Sequence, residues 1–427
     1  VYKRQEDPQS YTFLIPDGVW LMGGYYEGGD LDNNGNKKPA NWDDSARDVL
    51  TSYRTVLSAK TEPKLGSSVN QEVNGYHTVT FGKWPTGNDN DYNESALSYR
   101  AVLDGVYLTD GQATDNSGFK GVGGGAVVPK NAHVRNCFVI QNEALKGGAF
   151  YTLPGGMVSG CVIRNNTAQQ GGAIYASNAG KNDRNYHAYI VSCTIADNNA
   201  QQGGGIYQEL NSMMGGNLVV WDNHATTDKN ISGVVDETAR SVDAWMGGTD
   251  KNGNAIKYYP YNDCFVEKYA LPGNTYNTSM DDNEDAYFVS NGGYYPRPYS
   301  PLVEMGVLAS YYTQWIKIGI LPYDILGVTR KTTDVANDES TRLTAGAYAM
   351  TLPSKDTKSV LKRLFVSADG GTDQVTDAEK QKYLGRSFYT PFNSLDAALS
   401  YIKEVREKNE SVTDNTPFEI LMTGGTY

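Results

Sequence analysis

The sequence predicts an all-β chain, a right-handed single-stranded parallel β-helix, with the start of a second β-helix module and its amphipathic capping helix at the C-terminus. Three observations predict this class. A unit of about two dozen residues recurs along the chain. Each unit contains only short apolar stretches, and paired glycines and asparagines separate them. Stretches this short are typical of strands, because helices usually run for roughly 8–20 residues.

The repeat is clearest in three segments, 137–151, 161–175 and 193–207, which align without gaps. Each begins with a cysteine, passes an asparagine and reaches a Gly-Gly pair ten positions after the cysteine. A partial copy with a glycine pair at 124–125 precedes them, so successive glycine pairs are 23, 24 and 32 residues apart, and a polar insertion at 177–183 explains the longest interval. Two or three brief strands joined by tight turns would make one coil, and successive coils would stack at about 4.8 Å.

Stacked coils place equivalent residues above one another, so the repeat predicts structural columns. A ladder of amide side chains is predicted at one turn, formed by Asn142, Asn166, Asn198 and Asn223. An inward column is predicted for Cys137, Cys161 and Cys193, with Leu218 next. These thiols are either disulfide partners or small apolar fillers, and the second interpretation is favoured because parallel neighbours rarely offer disulfide geometry. Cys264 lies outside the repeat without an obvious mate, and the cysteine spacings do not indicate a zinc site.

The repeat resembles that of a known family. Gly-Gly-Ala followed by Ile or Phe, paired with Ile/Val-x-x-Asn, is similar to the repeat of chlamydial-type polymorphic outer-membrane proteins. It also resembles right-handed β-helix surface proteins of gut Bacteroidetes, within the pectin-lyase-like superfamily. The flanking segments fit the opening and the close of such a module, and the resemblance covers about residues 10–350. These flanking segments are 13–24, 55–58, 76–79, 102–106, 300–306, 324–330 and 345–348.

The same resemblance divides the chain. Residues 1–5 read like the translation of a sequencing-library adapter, so native sequence is expected to begin near Glu6. Residues 6–350 form the first β-helix module, 351–360 a linker and 361–427 the truncated start of a second module. In the second module an amphipathic helix is expected, with Asn393 or Ser394 as its N-cap. Its apolar face would contain Leu395, Ala398, Leu399, Ile402 and Val405. Such a helix would shield the open strand edges of the first coil, and the first module's own helix is expected before Glu6.

Charge and hydropathy limit the partners. There are 37 Lys and Arg against 49 Asp and Glu, a formal net charge of −12, which argues against nucleic acid. We find no apolar run of the roughly 18 residues that a membrane span needs. The resemblance implies an extracellular or cell-surface, outer-membrane-associated bacterial protein with an adhesin-like, structural or glycan-contacting role. Its partners would be an extracellular glycan or a host or cell-surface protein. The alternative is a polysaccharide lyase or glycoside hydrolase acting on an extracellular polysaccharide.

Catalytic residues are not evident. The residues expected to point outward from the coils are mixed, with amides at three of six positions, and they do not repeat an acidic pair or an Arg-x-Lys cluster; they are Gln141, Glu143, Arg164, Asn165, Asp197 and Gln201. His133, His187 and His224 fall in different phases of the repeat, which favours surface or turn positions over catalysis. We therefore predict no catalytic residue.

Two further motifs suggest ligands. Asp30, Asp32 and Asn34 match the first half of a calcium loop, but Asn41 stands where an EF-hand has Glu, so a solvated hairpin tip is the alternative. No other cofactor is predicted. Aromatic residues outside the repeat could stack on sugar rings, or they could simply pack in the core and turns. They are Trp20, Tyr25, Tyr26, Tyr294, Tyr295, Tyr299, Tyr311, Tyr312 and Trp315.

Overall fold

The computed structural model describes residues 9, 12–25, 54–61, 73–82, 100–180, 187–233, 240–241, 257–258, 261–262, 264–267, 279–280, 294, 296, 302, 306–307, 312–313, 315–316, 319–330, 343–349, 363–368, 385, 391–408 and 418–422. The chain folds as two compact units. Unit 1 comprises Val1–Asp282 and Gly306–Ala349, and unit 2 comprises Asn283–Met305 and Met350–Tyr427.

Unit 1 is a right-handed parallel β-helix, as predicted, and four parallel sheets form its walls. Sheet 1 contains β1 (Phe13–Pro16), β6 (Val79–Gly82), β10 (Ala126–Val128), β14 (Phe150–Thr152), β18 (Ile174–Ala176), β22 (Ile206–Gln208) and β26 (Ile231–Gly233). Sheet 2 contains β2 (Trp20–Met22), β7 (Ala101–Asp104), β11 (Ala132–Arg135), β15 (Met157–Ser159), β19 (Ala188–Val191), β23 (Met213–Gly216) and β29 (Tyr261–Asn262).

The other two walls differ in length. Sheet 3 contains β3 (Val56–Ser58), β8 (Tyr107–Thr109), β12 (Phe138–Ile140), β16 (Val162–Arg164), β20 (Thr194–Ala196), β24 (Val219–Trp221), β30 (Phe265–Glu267) and β31 (Ser279–Met280). Sheet 4 is shorter and contains β9 (Gln112–Ala113), β13 (Glu143–Lys146), β17 (Thr167–Gln170), β21 (Asn199–Gln202) and β25 (His224–Thr227). The described residues of unit 1 also form two short antiparallel pairs, β4 (Lys60–Thr61) with β5 (Val73–Asn74) and β27 (Arg240–Ser241) with β28 (Lys257–Tyr258), and a 3-10 helix at Gly118–Gly121.

One coil contains four strands, one from each sheet. The coil that begins at β10 passes through β11, β12 and β13 before β14 starts the next coil. Ile174 and Ile206 are direct partners in sheet 1 although 32 residues separate them, because the extra residues lie between β18 and β19. The prediction of two or three strands per coil is wrong. The additional strand belongs to sheet 4, whose residues are mostly polar and show no apolar alternation.

Residues with left-handed backbone mark the corners. Between sheets 3 and 4 these are Gln141, Asn165, Asp197 and Asp222, with φ from 50 to 56°. Asn and Asp accept this conformation more readily than most residues. Between sheets 4 and 1 the corner residues are Gly147, Gly171 and Gly203, where an added Cβ would collide with the carbonyl oxygen three residues later. This collision explains why the first glycine of each repeated pair is a glycine.

The interior of the coils forms the main core. In sheet 3, Val139, Ile163 and Ile195 pair above one another, and all three are fully buried. In sheet 1, Phe150 continues into Ile174 and Ile206 in the same way. These columns belong to one continuous apolar cluster that runs from Ile15 to Val266. Each coil therefore buries its apolar surface against the coil before and after it.

A second layer covers the outer face of sheet 2. The described residues between 306 and 349, here called the cover segment, supply the side chains of Val307, Tyr312, Trp315, Ile320 and Leu343. These pack on outward-facing residues of sheet 2, namely Met157, Tyr189, Val191 and Met214. The ring of Trp315 lies so close to Gly216 that a Cβ there would clash with it. The outer face of sheet 2 is therefore an apolar interface.

Polar contacts hold the cover segment in place. Val307 donates its backbone N–H to Asn217 Oδ1 (3.0 Å), and Ala347 donates to Thr194 Oγ1 (3.0 Å). The Asp324 carboxylate is buried and accepts backbone N–H groups from Leu326, Val328 and Ala349 at 2.7–2.8 Å. Burial raises the pKa of Asp324 to about 6, although Arg330 and these N–H groups act in the opposite direction.

Unit 2 contains one parallel strand pair and one long helix. β32 (Arg363–Val366) pairs with β33 (Glu419–Met422), and α1 (Leu395–Lys408) lies between them in the chain. The Ser394 hydroxyl accepts the N–H of Ala397 at 3.2 Å, so Ser394 is the N-cap. Ala398 and Ile402 are buried, whereas Leu395 and Leu399 are 36% and 49% exposed. The buried apolar face of α1 is thus narrower than predicted. Within the described ranges, no helix has the length and apolarity that crossing a bilayer requires.

Candidate functional site

The outer face of sheet 4 carries an open groove that runs along the axis of the β-helix. One wall, the first row, is formed by Glu143, Thr167, Asn199 and His224, which are direct partners in successive strands. The opposite wall, the second row, is formed by residues two positions further along each strand: Leu145, Gln169, Gln201 and Thr226. Ala144, Ala168 and Ala200 stand between the rows, so the floor is built from small buried residues.

Two adjoining depressions make up the groove. The larger has a volume of about 590 Å³ and is lined by Asn165, Asn166, Thr167, Asp197, Asn199 and His224. The second, about 410 Å³, lies over the alanine floor between the two rows. Both are lined by Thr167 and Asn199, so the two depressions adjoin along the first row.

A buried ladder of asparagines supports the first row. Each ladder residue directly precedes a residue of that row, so Asn166 precedes Thr167 and Asn198 precedes Asn199. Asn142, Asn166, Asn198 and Asn223 are at most 1% exposed and lie one above another. The Oδ1 atom of Asn166 accepts both the backbone N–H and the Nδ2–H of Asn142, at 3.0 Å each.

The same bonding pattern repeats down the ladder. Asn198 Oδ1 accepts both groups of Asn166 at 3.0 Å, and Asn223 Oδ1 accepts both groups of Asn198 at 2.9–3.0 Å. At the upper end Thr78 Oγ1 donates to Asn142 (3.1 Å), and at the lower end Asn223 donates to Asn230 (2.9 Å). Each amide nitrogen also donates to backbone carbonyl groups. Because these buried groups are fully paired, the ladder fixes the register of sheet 4.

The cysteines lie in the interior and away from the groove. Cys137, Cys161 and Cys193 occupy equivalent positions just before β12, β16 and β20, and all are free thiols. The Cys137 N–H donates to Cys161 Sγ at 3.5 Å. Burial raises the pKa of the Cys161 thiol, which keeps it protonated. Leu218 and then Cys264 follow in this column, because Val219 pairs with Phe265. Cys264 therefore belongs to this column, although its sequence position lies outside the recognisable repeat.

Carboxylates collect at one corner of the groove. Asp197 Oδ1 lies 3.7 Å from His224 Nε2, and both side chains are exposed. The amide of Asn165, oriented with its nitrogen toward Asp197, donates to that carboxylate. On the next coil Asp222 donates its backbone N–H to Glu267 Oε2 at 3.0 Å. Partial burial raises the pKa of Asp222, and the neighbouring charges of Glu267 and Asp197 raise it further, against the effect of His224.

The structure brings together four of the six residues predicted to point outward. Glu143, Asn165, Asp197 and Gln201 line the groove, whereas Arg164 lies in sheet 3. Among the described residues that line the groove, none is Lys or Arg. Sequence reasoning identified Gln201 but missed the rest of the second row and the alanine floor, although Ala-Gln-Gln recurs at 168–170 and 200–202. That recurrence is the signal that could have identified the fourth strand.

The histidines correct one expectation. His133 and His187 are buried rather than at the surface or in open turns. His133 Nε2 lies 2.7 Å from Ser159 Oγ, and burial holds the pKa of His133 well below its usual value. His224 is exposed, and of these three it alone lines the groove.

The remaining candidate ligands fall elsewhere. Asp30, Asp32 and Asn34 lie outside the described residues. In the part of the chain that the structure describes, no group of three or more His, Cys, Asp or Glu residues could hold a metal ion. Tyr312 and Trp315 belong to the cover segment and are buried against sheet 2, while Trp20 is 57% exposed and lies beneath the guanidinium of Arg135 at 5.3 Å. Tyr26, Tyr295, Tyr299 and Tyr311 lie outside the described residues.

Comparison with models of known families, with curated proteins and with solved structures finds no match. The chemistry of the groove itself therefore carries the functional argument.

Proposed function

We propose that this chain is a secreted or cell-surface bacterial β-helix protein with an adhesin-like role, and that the groove on sheet 4 contacts a glycan. One observation carries the proposal. Amide and hydroxyl side chains line the two walls over three successive coils, those of β17, β21 and β25, and they include Thr167, Asn199, Gln169, Gln201 and Thr226. The sequence resemblance to surface proteins of gut Bacteroidetes and chlamydial-type outer-membrane proteins supports the extracellular location.

The chemistry of the groove suits sugars. Amide and hydroxyl groups both donate and accept hydrogen bonds, as sugar hydroxyl groups do. Parallel strands repeat at about 4.8 Å, so a polymer lying along the axis would meet one side chain of each row at every coil. A single hydrogen bond exchanged with water contributes only about 0.5–1.5 kcal/mol. Binding would therefore depend on several coils acting together.

A glycan array probed with the full chain tests the proposal. The variant Q169A/Q201A removes two side chains of the second row. We expect it to weaken binding by roughly tenfold or more, given about 0.5–1.5 kcal/mol for each lost hydrogen bond. The matched control is Q170A/Q202A, because those two glutamines lie on the same strands but bond to each other outside the groove, at 2.8 Å. Equal losses in both variants, or binding only to a deglycosylated cell-surface protein, would contradict the proposal.

A specific observation favours a second candidate, the polysaccharide lyase or glycoside hydrolase. Asp197 and His224 lie 3.7 Å apart, and the pKa of the nearby Asp222 is raised. A carboxyl group with a raised pKa is suited to act as a general acid. We rank this candidate second because a lyase of this fold class would need a basic Arg or Lys beside the substrate. If the full chain depolymerises a bound polysaccharide and Asp222→Asn loses this activity, the enzyme candidate is supported.

A further inference from the structure

We infer that the groove selects uncharged glycans, because its own carboxylates disfavour polymers of uronic acids. This inference rests on the proposed function and names the ligand class of the same groove. It separates the glycan-binding candidate from a lyase, whose substrate is a uronate polymer.

The distribution of charged groups along the groove supports this selectivity. Glu143 stands in the first row, and Asp197 lines the larger depression at the corner two residues before Asn199. Asp222 and Glu267 lie at the same corner on the coils that follow. Three of the four coils thus present at least one carboxylate.

Three groups of opposite sign lie near these carboxylates, Lys146, Lys229 and His224, and Lys229 acts to lower the pKa of Asp222. Lys146 lies on sheet 4 beside Tyr175. Its Nζ is 3.3 Å from Tyr175 Oη and 4.7 Å from the centre of that ring. His224 offsets Asp197 only when it is protonated. Asp222, Glu267 and Asp197 lie close enough together that the charges of Glu267 and Asp197 add to the effect of burial in raising the pKa of Asp222. A further anion bound here would meet a site that disfavours it.

The physical effect is repulsion at short range. A uronate carboxylate in the groove would lie on the order of 7 Å from Asp197 or Asp222, where two unit charges in water repel measurably. At about 0.5 M salt the Debye length falls below this separation, so the repulsion should be screened. An uncharged sugar of the same shape is not subject to this repulsion and keeps its hydrogen bonds to the amide rows.

Matched polymer pairs provide the test. The array should contain homogalacturonan with and without methyl esters, alginate with and without carboxyl reduction, and xylan with and without glucuronic acid. We expect the full chain to bind an uncharged member more tightly than its charged partner. In D197N/D222N the affinity for the charged member should rise roughly fivefold to tenfold at low salt, and the affinity for the uncharged member should stay the same.

The substitutions are suited to the fold. Asp197 and Asp222 have left-handed backbone, and Asn165 already occupies the equivalent corner one coil earlier. The matched control E404Q/E407Q removes two exposed carboxylates from α1 in unit 2 and should leave both affinities unchanged.

The outcomes distinguish the two levels of the argument. Binding that favours the charged member of a pair would overturn this inference and leave the glycan-contacting function in place. The inference would also be overturned if the control variant gained as much affinity for the charged member as D197N/D222N does. The effect would then come from the net charge of the chain. If the full chain binds no glycan, the proposed function and this inference fail together.

Discussion

Sheets 2 and 4 run through the same coils and pair in the same parallel register, yet their outer faces differ in chemistry. Sheet 2 points Met157, Tyr189 and Met214 outward, and the cover segment buries them. Sheet 4 points Thr167, Gln169 and Gln201 outward, and they remain exposed beside a groove. The inward columns make the coil, and the outward residues decide whether a wall becomes an interface or an open surface.

This difference predicts where substitutions affect stability. On the covered side an outward side chain belongs to a packed core, so its removal leaves a cavity. On the open side the outward side chains contact solvent, so their removal should change binding and leave the fold intact.

The largest effect is expected for Trp315→Ala. Trp315 is fully buried against Gly216 and the outer face of sheet 2. Loss of a buried Trp costs about 3–5 kcal/mol in unfolding free energy, because a cavity replaces the ring. Denaturant unfolding of the full chain measures the loss, and Trp315→Phe should lose less. An unfolding free energy within about 1 kcal/mol of the wild type would show that the cover segment contributes little to the fold.

Neighbouring asparagines allow a sharper comparison. Asn198 is fully buried in the ladder, and Asn199 is exposed on the groove wall. Asn198→Ala leaves the backbone N–H of Asn166 without its acceptor and removes one of the hydrogen bonds of the Asn166 amide, which should cost about 2–4 kcal/mol. Asn199→Ala should change stability by no more than about 0.5 kcal/mol. Thermal unfolding of the two variants tests this, and similar losses would show that the ladder does not hold sheet 4 in place.

The sequence reveals the inner columns more readily than the outer faces. Cysteine, asparagine and glycine recur because a buried column or a left-handed corner accepts few residue types, as the column through Cys137 and the φ of Gly171 illustrate. The parallel β-helix could therefore be predicted. Outward residues such as Leu145 and Gln169 differ from coil to coil, so the groove had no repeating apolar pattern to mark it. The cover segment comes from residues distant in the chain, and only the fold brings Trp315 to Gly216.

Asp324 makes the covered side sensitive to pH. Its pKa is about 6 in the fold because of burial, compared with an ordinary value of 3.8, so the folded state binds a proton more readily than the unfolded state. The unfolding free energy should therefore rise as pH falls from about 7 to about 4, by on the order of 2–3 kcal/mol from this group. Asp324→Asn should remove that part of the pH dependence. An unchanged pH profile in the variant would assign the dependence to other groups.

The smallest effect is expected on the open side, for a single side chain of the second row. Gln201→Ala should weaken glycan binding by roughly threefold and leave unfolding unchanged, because one hydrogen bond exchanged with water contributes about 0.5–1.5 kcal/mol. Gln202→Ala is the matched control, since Gln202 is the next residue of the same strand and bonds to Gln170 instead of lining the groove. Titration of both variants with the same oligosaccharide measures the difference. If Gln201 and Gln169 act on separate sugars, their effects should add in the double variant; a single loss as large as the double one would instead place both glutamines on the same sugar.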